Sequence, residues 1–536
     1  SDWSSDVCSS DLFLFSSFAL SVVRSFKLRQ TIWPPTENEL GLFGRSVSFS
    51  RDRIAIGSEY LDIDQWKFPS GDNRIGAVYV YDYDSATNSY TISKGNNASY
   101  NRIEPKPDPS YPNVIPGTFS SRMALSDDSN TLIVGAPYTY VPKDTPGLVV
   151  VPNQDDKEED VTMEFNGVEY YKEIGAIYVF KRNEDGSWRQ TDISIPRNIL
   201  YCGGYGRALS GNSDLSTFAG SYYNKFKAPI KKIGGVSVEN LDNNGKTINQ
   251  KYISPPDELT DKNSQRFGST LDFFGTKEIY VSTTTRGDST KSGVYHYTLK
   301  NDKWEEMEKI KAKGSDKYKE FGLNAAFRIG INDALVALYA NNDEKDNAIF
   351  ILSRDSDGWK EEPEQIIEIG SGELSEKLSD MFFCSHDDNN FLAVILDEKE
   401  GSIIRLYSQS PTTKKYELFQ KISEPNVSRV NVPYSQQYIS FASDFSWDSE
   451  TCSRFIVGAM SKSGAGTNTK PEKYSRSYVY ELVHIDDEKG SSHTGIIVGC
   501  VIACIAIIAI IIIVVIYIRN KNDDRSEERR VGKECR

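Results

Sequence analysis

The chain is poor in the residues that do chemistry. It has 4 histidines in 536 residues, and His296, His386, His484 and His493 are scattered without the spacing that a metal site requires. It contains no G-x-S-x-G elbow, phosphate-binding loop or C-x-x-C pair, which removes common signatures of serine hydrolases, nucleotide-binding enzymes and disulfide oxidoreductases. Positive charge is in deficit: 62 Lys and Arg stand against 76 Asp and Glu, for a net charge of −14. Without a basic stripe, nucleic acid is excluded as a partner. The adjacent pair Asp127-Asp128 comes nearest to glycosidase chemistry, but neighbours on a hairpin point apart, and turn chemistry accounts for them. The expectation is a chain that is not an enzyme, with no catalytic, cofactor-binding or metal residue.

What the chain has in abundance is short apolar-alternating runs. Residues 43–81 read FGRSVSFS, then IAIGSEY, then GAVYVY, and the order returns at 119–180 as FSSRMALS, LIVGAP and GAIYVF. Turn residues separate the runs, as strands joined by tight turns require. A third copy starts at Tyr205, a fourth at Phe267, a fifth at Phe321, a looser sixth at Leu378 and a seventh at Tyr438. Fourth strands carry Trp188, Trp304, Trp359 and Tyr416. The seventh copy has no fourth strand of its own. Residues 26–35, FKLRQTIWPP, align with 416–425, YELFQKISEP, and would fill that place. The predicted fold is an all-β, seven-bladed β-propeller over 24–485, with four-stranded blades and the last blade closed by the N-terminal strand. An unclosed ring would leave two exposed strand edges.

The pairs Phe43-Gly44, Phe267-Gly268 and Phe321-Gly322, with Gly57, Phe119, Gly135-Ala136-Pro137 and Gly458-Ala459, resemble the FG-GAP repeats of integrin alpha-chain propellers. The resemblance implies an extracellular propeller used for ligand or partner binding, without naming the ligand. It also raises calcium, held in a D-x-D-x-D-G-like hairpin between strands one and two. The hairpins here, Ser50-Arg51-Asp52-Arg53, SDDSN at 126–130 and SHDDNN at 385–390, are short and lack spaced carboxylates. They read as polar turns, so no cofactor is expected.

Loops between strands two and three share one face with the connections between blades, and long loops on a rigid scaffold are where binding resides. The candidate ligand residues are therefore Asp62, Asp64, Trp66 and Phe68 in blade one, Asp155 and Asp156 in the long insertion 138–172 of blade two, and Tyr222 and Tyr223 in blade three. Arg286, Gly287 and Asp288 in blade four form an adhesive-type tripeptide that also suits an ordinary turn. A solvated insertion is the plain alternative for 138–172.

Residues 495–518 are an uncharged apolar run of 24 residues, long enough at roughly 36 Å to cross a bilayer as a helix. Arg519 and Lys521 follow, placing the C-terminal side in the cytosol. Residues 13–23 read as the apolar core of a truncated signal peptide, and Asn97 and Asn426 head glycosylation sequons. The expected protein is a type I single-pass membrane glycoprotein of the cell surface or secretory membranes. A polar stalk, 486–494, follows the propeller, and the long-loop face points away from the membrane. Gly495, Gly499 and Ala503 have the four-residue spacing of a pairing helix, or simply face lipid. Residues 519–524 begin a cytoplasmic tail. Residues 1–12 and 525–536 read as translated sequencing adapters and are set aside. Cys202, Cys384 and Cys452 remain on the lumenal side, an odd number with no pairing deducible. The function expected is binding of a protein or glycan partner at the membrane-distal face. The alternatives are a glycan-hydrolysing propeller and a structural or trafficking subunit of secretory membranes.

Overall fold

Runs rich in Val, Ile, Tyr and Phe become strands here because each buries one or both faces against a neighbouring sheet. The computed structural model describes residues 24–35, 42–50, 52–59, 75–92, 102–151, 161–200, 203–222, 234–256, 259, 265–285, 292–318, 320–329, 334–341, 347–356, 358–370, 377–398, 401–425, 437–463 and 475–484. The chain divides into two units, Lys27–Glu481 and the terminal segments Ser1–Phe26 with Leu482–Arg536. No helix among the described residues is long and apolar enough to cross a membrane. The run 495–518, with Gly495, Gly499 and Ala503, lies outside them.

The fold is all-β, strand-rich and propeller-like, built from successive antiparallel sheets. The first sheet holds Leu42–Ser50, Arg53–Glu59, Ala77–Asp84 and Ser89–Ile92, with Arg102–Ile103 beside the third strand. The second holds Arg122–Leu125, Thr131–Ala136, Ala176–Arg182 and Trp188–Ser194, and the third Leu209–Gly211, Thr217–Tyr222, Gly235–Leu241 and Thr247–Ile253. The fourth runs from Gln265–Phe274 through Glu278–Thr285 and Gly293–Lys300 to Lys303–Lys309. The fifth contains Glu320–Ile329, Ala334–Asn341 and Asn347–Asp355. Its outer strand is split, so that Trp359 sits in the two-residue piece Gly358–Trp359 and most of the pairing falls to Gln365–Gly370. The sixth is Lys377–His386, Asn389–Glu398, Gly401–Gln409 and Tyr416–Ile422. In the seventh, Gln437–Trp447, Arg454–Ser463 and Arg476–His484 are joined by Arg24–Ile32, the N-terminal strand expected to fill that place.

The Phe-Gly pair has a mechanical role. Gly44, Gly268 and Gly322 have φ of 83°, 87° and 75°, the left-handed region that favours glycine. Each starts a break in register along the first strand, between Phe43 and Val47, Phe267 and Leu271, and Phe321 and Ala325. Such bulges re-aim the side chains that follow. They also bring the backbone hard against the preceding sheet. A Cβ on Gly322 would stand 2.8 Å from the Cα of Gly293, and one on Gly458 would stand 2.0 Å from the carbonyl oxygen of Gly44.

Side chains beyond the bulge then satisfy the edge of the next sheet. From the seventh sheet to the first, Asp444 Oδ2 accepts from the Val47 amide at 2.8 Å and Ser446 Oγ from the Phe49 amide at 2.9 Å. From the first to the second, Ser46 Oγ donates to the Ser120 carbonyl at 2.6 Å, and Ser48 Oγ accepts from the Leu125 amide at 3.0 Å. The outer strands are joined by a second device, a glutamine that pairs both amide atoms with one backbone residue of a neighbouring strand or the segment beside it. Gln30 does so with Tyr90, Gln190 with Lys106 and Gln365 with Tyr416, at 2.7–2.9 Å.

The apolar cores lie between successive sheets. Phe43, Ile56, Tyr79, Ile456 and Val479 fill the space between the seventh and first. Phe267, Val238, Ile279 and Tyr295 fill that between the third and fourth. Between the sixth and seventh, Phe382 stacks on Phe445 at 5.2 Å and a disulfide joins Cys384 to Cys452. Cys202 is outside the described residues.

Replacing Gly458 with alanine forces apart the strands that join the seventh and first sheets. Expected is a loss of about 1–3 kcal/mol, the usual cost of overpacking, in chemical denaturation. The same change at Gly167, where an added Cβ meets nothing within 4 Å, costs only the strain of its positive φ.

Candidate functional site: the inner strands and the long-loop face

In each sheet the first strand begins at the end where the connection from the preceding sheet arrives, and the loops between strands two and three leave at that same end. Four polar side chains gather there, three of them at register breaks. Arg122 follows Phe119 by three residues, as Asn324 follows Phe321 and Asp444 follows Phe441, while Asp380 comes just after the shorter register break of the sixth sheet. Arg122 Nη1 is 3.2 Å from Asp444 Oδ1, so it reaches past the first sheet, where the equivalent residue is the small Ser46. Asn324 Nδ2 donates to Asp380 Oδ1 at 3.1 Å. The side chain of Arg122 is 38% exposed and that of Asp444 12%. Burial pushes the carboxyls of Asp380 and Asp444 above the usual range, and the Arg122 guanidinium pulls both part of the way back. The arrangement can hold a proton, or offer a carboxylate and a guanidinium side by side.

Three further networks lie between sheets. His296, 3% exposed, is 3.0 Å from Glu278 through Nε2 and 3.6 Å from Glu308 through Nδ1. Arg354 reaches Glu278 at 2.8 Å and Tyr280 Oη at 3.1 Å, and the Tyr280 ring stacks on His296. Burial lowers the His296 pKa, against the pull of Glu278. Glu239 is fully enclosed and receives the Tyr205 phenol at 2.5 Å and the Gln250 amide at 2.9 Å. Burial raises its pKa. In the seventh hairpin, the buried Asp448 takes Arg454 at 3.1 Å, and that guanidinium lies over the rings of Phe49, Tyr83 and Tyr90 at 5.0–5.9 Å.

The hairpin 126–130 forms a polar turn. Asp128 accepts from Ser126 Oγ at 2.5 Å and from the Asn130 amide at 3.0 Å, leaving its carboxylate engaged with its own loop. Among the described residues, no group of three or more His, Cys, Asp or Glu is placed to hold a metal ion.

Most of the loop residues chosen from sequence, Asp62, Asp64, Trp66, Phe68, Asp155, Asp156, Tyr223, Arg286, Gly287 and Asp288, lie outside the described residues, as do Asn97 and Asn426. Tyr222 is a correction. It ends the strand Thr217–Tyr222 and is 9% exposed, its ring packed where a Cβ on Gly235 would fall. The alternation of TFAGSY carries the strand further than the aromatic character of the following loop implied.

The insertion 138–172 is folded where it is described. Val141–Pro142, Val168–Tyr171 and Thr162–Phe165 form a small antiparallel sheet, and Val149–Val151 pairs in parallel with Asn198–Leu200. Val141, Tyr170 and Ile174 are buried in the core that the first, second and third sheets share. The acidic stretch with Asp155 and Asp156 lies in 152–160, outside the described residues, between two ordered strands.

Sequence reasoning missed Arg122, Asn324, Asp380, Asp444 and the partners of His296. The first three strands of each repeat were aligned for their apolar positions. For Arg122, Asn324 and Asp444 the polar residue three places after Phe carried the signal; Asp380, two places after Leu378, had no such mark.

No family model matches the chain, and no curated protein matches it significantly. Among solved structures it is similar to a periplasmic gluconolactonase of Pseudomonas aeruginosa, at 11% identity and TM-score 0.35 over 70% of this chain and 84% of that one. A protein from Lactobacillus plantarum matches at 14% identity and TM-score 0.35, with the same coverage of 70% and 84%. The core factor of S. cerevisiae matches at 9% identity and TM-score 0.41, over 90% of this chain and 67% of that one. Likeness at this level carries no argument about activity or fold.

Asp272 gives a test of inner-strand electrostatics. It follows Phe267 by five residues, as Ser48 follows Phe43, and burial pushes its carboxyl up to about 7. The folded state then holds a proton that the unfolded state releases, so stability falls as pH rises from about 4 to 7. Asp272→Asn should be more stable than the parent at pH 8, with a shallower pH dependence of the thermal midpoint between pH 5 and 8.

Proposed function

We propose that residues 24–485 form a closed seven-bladed propeller of FG-GAP type, the ectodomain of a type I single-pass membrane glycoprotein that binds a protein or glycan with its long-loop face. The succession of seven four- or five-stranded sheets, with the seventh bonded to the first through Asp444 and Ser446, supports the blade count and closure. The observation that carries the binding reading is the folded insertion of the second sheet. A solvated loop would not bury Val141, Tyr170 and Ile174 to hold its ends. Anchored in that way, the described part of the insertion is a rigid base, which limits the ordering cost of binding there. The Cys384–Cys452 disulfide supports an oxidising compartment.

A second reading, a glycan hydrolase, is favoured by one observation: Asp380 and Asp444, both with raised pKa, gather with Arg122 where the inner strands begin.

The test uses cells expressing the full chain. Surface biotinylation should label it, which a resident of internal membranes would escape. Replacing 152–160 with a Gly-Ser segment should lower binding of cell-surface glycoproteins and glycans at least ten-fold at unchanged surface level. Turnover of a glycan substrate that Asp444→Asn abolishes while binding persists would install the hydrolase reading instead.

A further inference from the structure

Trp33 is the most exposed tryptophan among the described residues, 44% accessible, where Trp359 and Trp447 are buried and Trp188 and Trp304 are partly so. It directly follows the N-terminal strand of the seventh sheet, Arg24–Ile32, and leads to Pro34 and Pro35, whose fixed φ restricts the backbone on both sides of the junction. Its indole is held from one side. The Arg476 guanidinium stands over the ring at 5.3 Å, within cation–π range. Arg476 is itself immobilised: its side chain is 8% exposed, it reaches Glu424 Oε1 at 2.5 Å, and it bonds the Tyr478 phenol. The Tyr478 phenol in turn lies 3.4 Å from Glu424 Oε1, and Tyr81 Oη donates to the Trp33 carbonyl at 3.4 Å.

A tryptophan left 44% exposed forgoes part of the gain of full burial, on the order of 1 kcal/mol. Here it is also fixed in orientation by charged groups that offset one another. Arg476 and Glu424 pair, and with Arg476 8% and Glu424 22% exposed the edge offers a ligand the Glu424 carboxylate as an acceptor, its charge offset by the guanidinium behind it. A flat apolar face beside such an acceptor suits a ligand with one apolar face and hydroxyls around its rim. Anionic and cationic ligands gain nothing from the pair, and an acidic chain disfavours nucleobases attached to a phosphate backbone.

We propose that Trp33, backed by Arg476 and with the Glu424 carboxylate at its edge, is a binding subsite for a neutral pyranose, stacked through its C–H face on the indole and donating a rim hydroxyl to Glu424. The subsite lies at the junction of the sixth and seventh sheets, at the end of the strands where the inter-sheet connections run, and so on the long-loop face. It rests on the reading of this unit as a binding propeller, and names one chemical class for that face.

The experiment uses the full chain in a detergent without sugar groups. Saturation-transfer NMR is run with methyl β-galactoside, methyl β-glucoside, N-acetylglucosamine, glucosamine and sialic acid. At least one of the three neutral sugars is expected to receive saturation through its ring C–H protons, with glucosamine and sialic acid weaker. Trp33→Ala should reduce the affinity at least ten-fold, and Trp33→Phe should retain part of it, both at an unchanged thermal midpoint. Neutral-sugar binding that survives Trp33→Ala overturns the subsite and leaves the propeller's binding role intact. Absence of neutral-sugar binding in the parent chain also overturns it. Loss of the ten-fold 152–160 effect on cell-surface ligands would instead overturn the broader reading.

Discussion

A sheet that stands alone leaves its innermost strand with a row of unpaired amide and carbonyl groups, and the rest of this structure follows from how those groups are satisfied. The Phe-Gly bulge turns the first strand so that its next side chains face the neighbouring sheet rather than solvent. Ser46, Ser48, Asp444 and Ser446 then close the free edge by side-chain bonds. The same turn forces close backbone approach, which is why the facing positions are Gly44 and Gly458. Edge satisfaction inside, glutamine pairing outside and aromatic packing between are three layers of one joint, repeated with different residues.

That variation explains where polar chemistry collects. Where the bridging residue is serine, the joint is neutral and ordinary. Where it is Asp444, with Arg122 reaching across from two sheets away, the same position carries a carboxyl that burial pushes up and a guanidinium 3.2 Å away draws back. A scaffold of this type can thus alter its inner surface by changing one residue per repeat while leaving the apolar layers untouched. The Asp448–Arg454 pair in the seventh hairpin shows the complementary case, a buried carboxylate neutralised by a cation from its own loop.

Much of the architecture was legible in the sequence because it rests on periodic apolar residues. The start of each strand at Phe43, Phe267 and Phe321, and the filling of the seventh sheet by residues near 26–32, could be read from alignment of the repeats. The split outer strand of the fifth sheet could not, because Trp359 marked a strand whose longer part lies at Gln365–Gly370. Tyr222 was misassigned because its burial is set by Gly235 on the adjacent strand. The pairing of Cys384 with Cys452 depended on two hairpins meeting across sheets, which spacing along the chain does not encode. Arg122, Asn324, Asp380 and Asp444 were obscured for the same reason: each is unremarkable in its own repeat and acquires meaning from a residue in another sheet, 56 positions away for Asn324 and Asp380 and 322 for Arg122 and Asp444.

The seventh sheet is assembled from both ends of the Lys27–Glu481 unit, with Arg29 of the early strand 3.4 Å from Glu481 of the last. During synthesis, the early strand emerges first and has no partner until more than four hundred further residues have followed. Its contacts are therefore the most distant in sequence, and forming them is slow in entropic terms. A nascent chain would carry an open seam with Phe26 and Ile32, buried in the finished fold, uncovered for most of its translation. Such a chain depends on a folding environment that shields strand edges, and its quality control reduces to whether one early strand has found the last sheet.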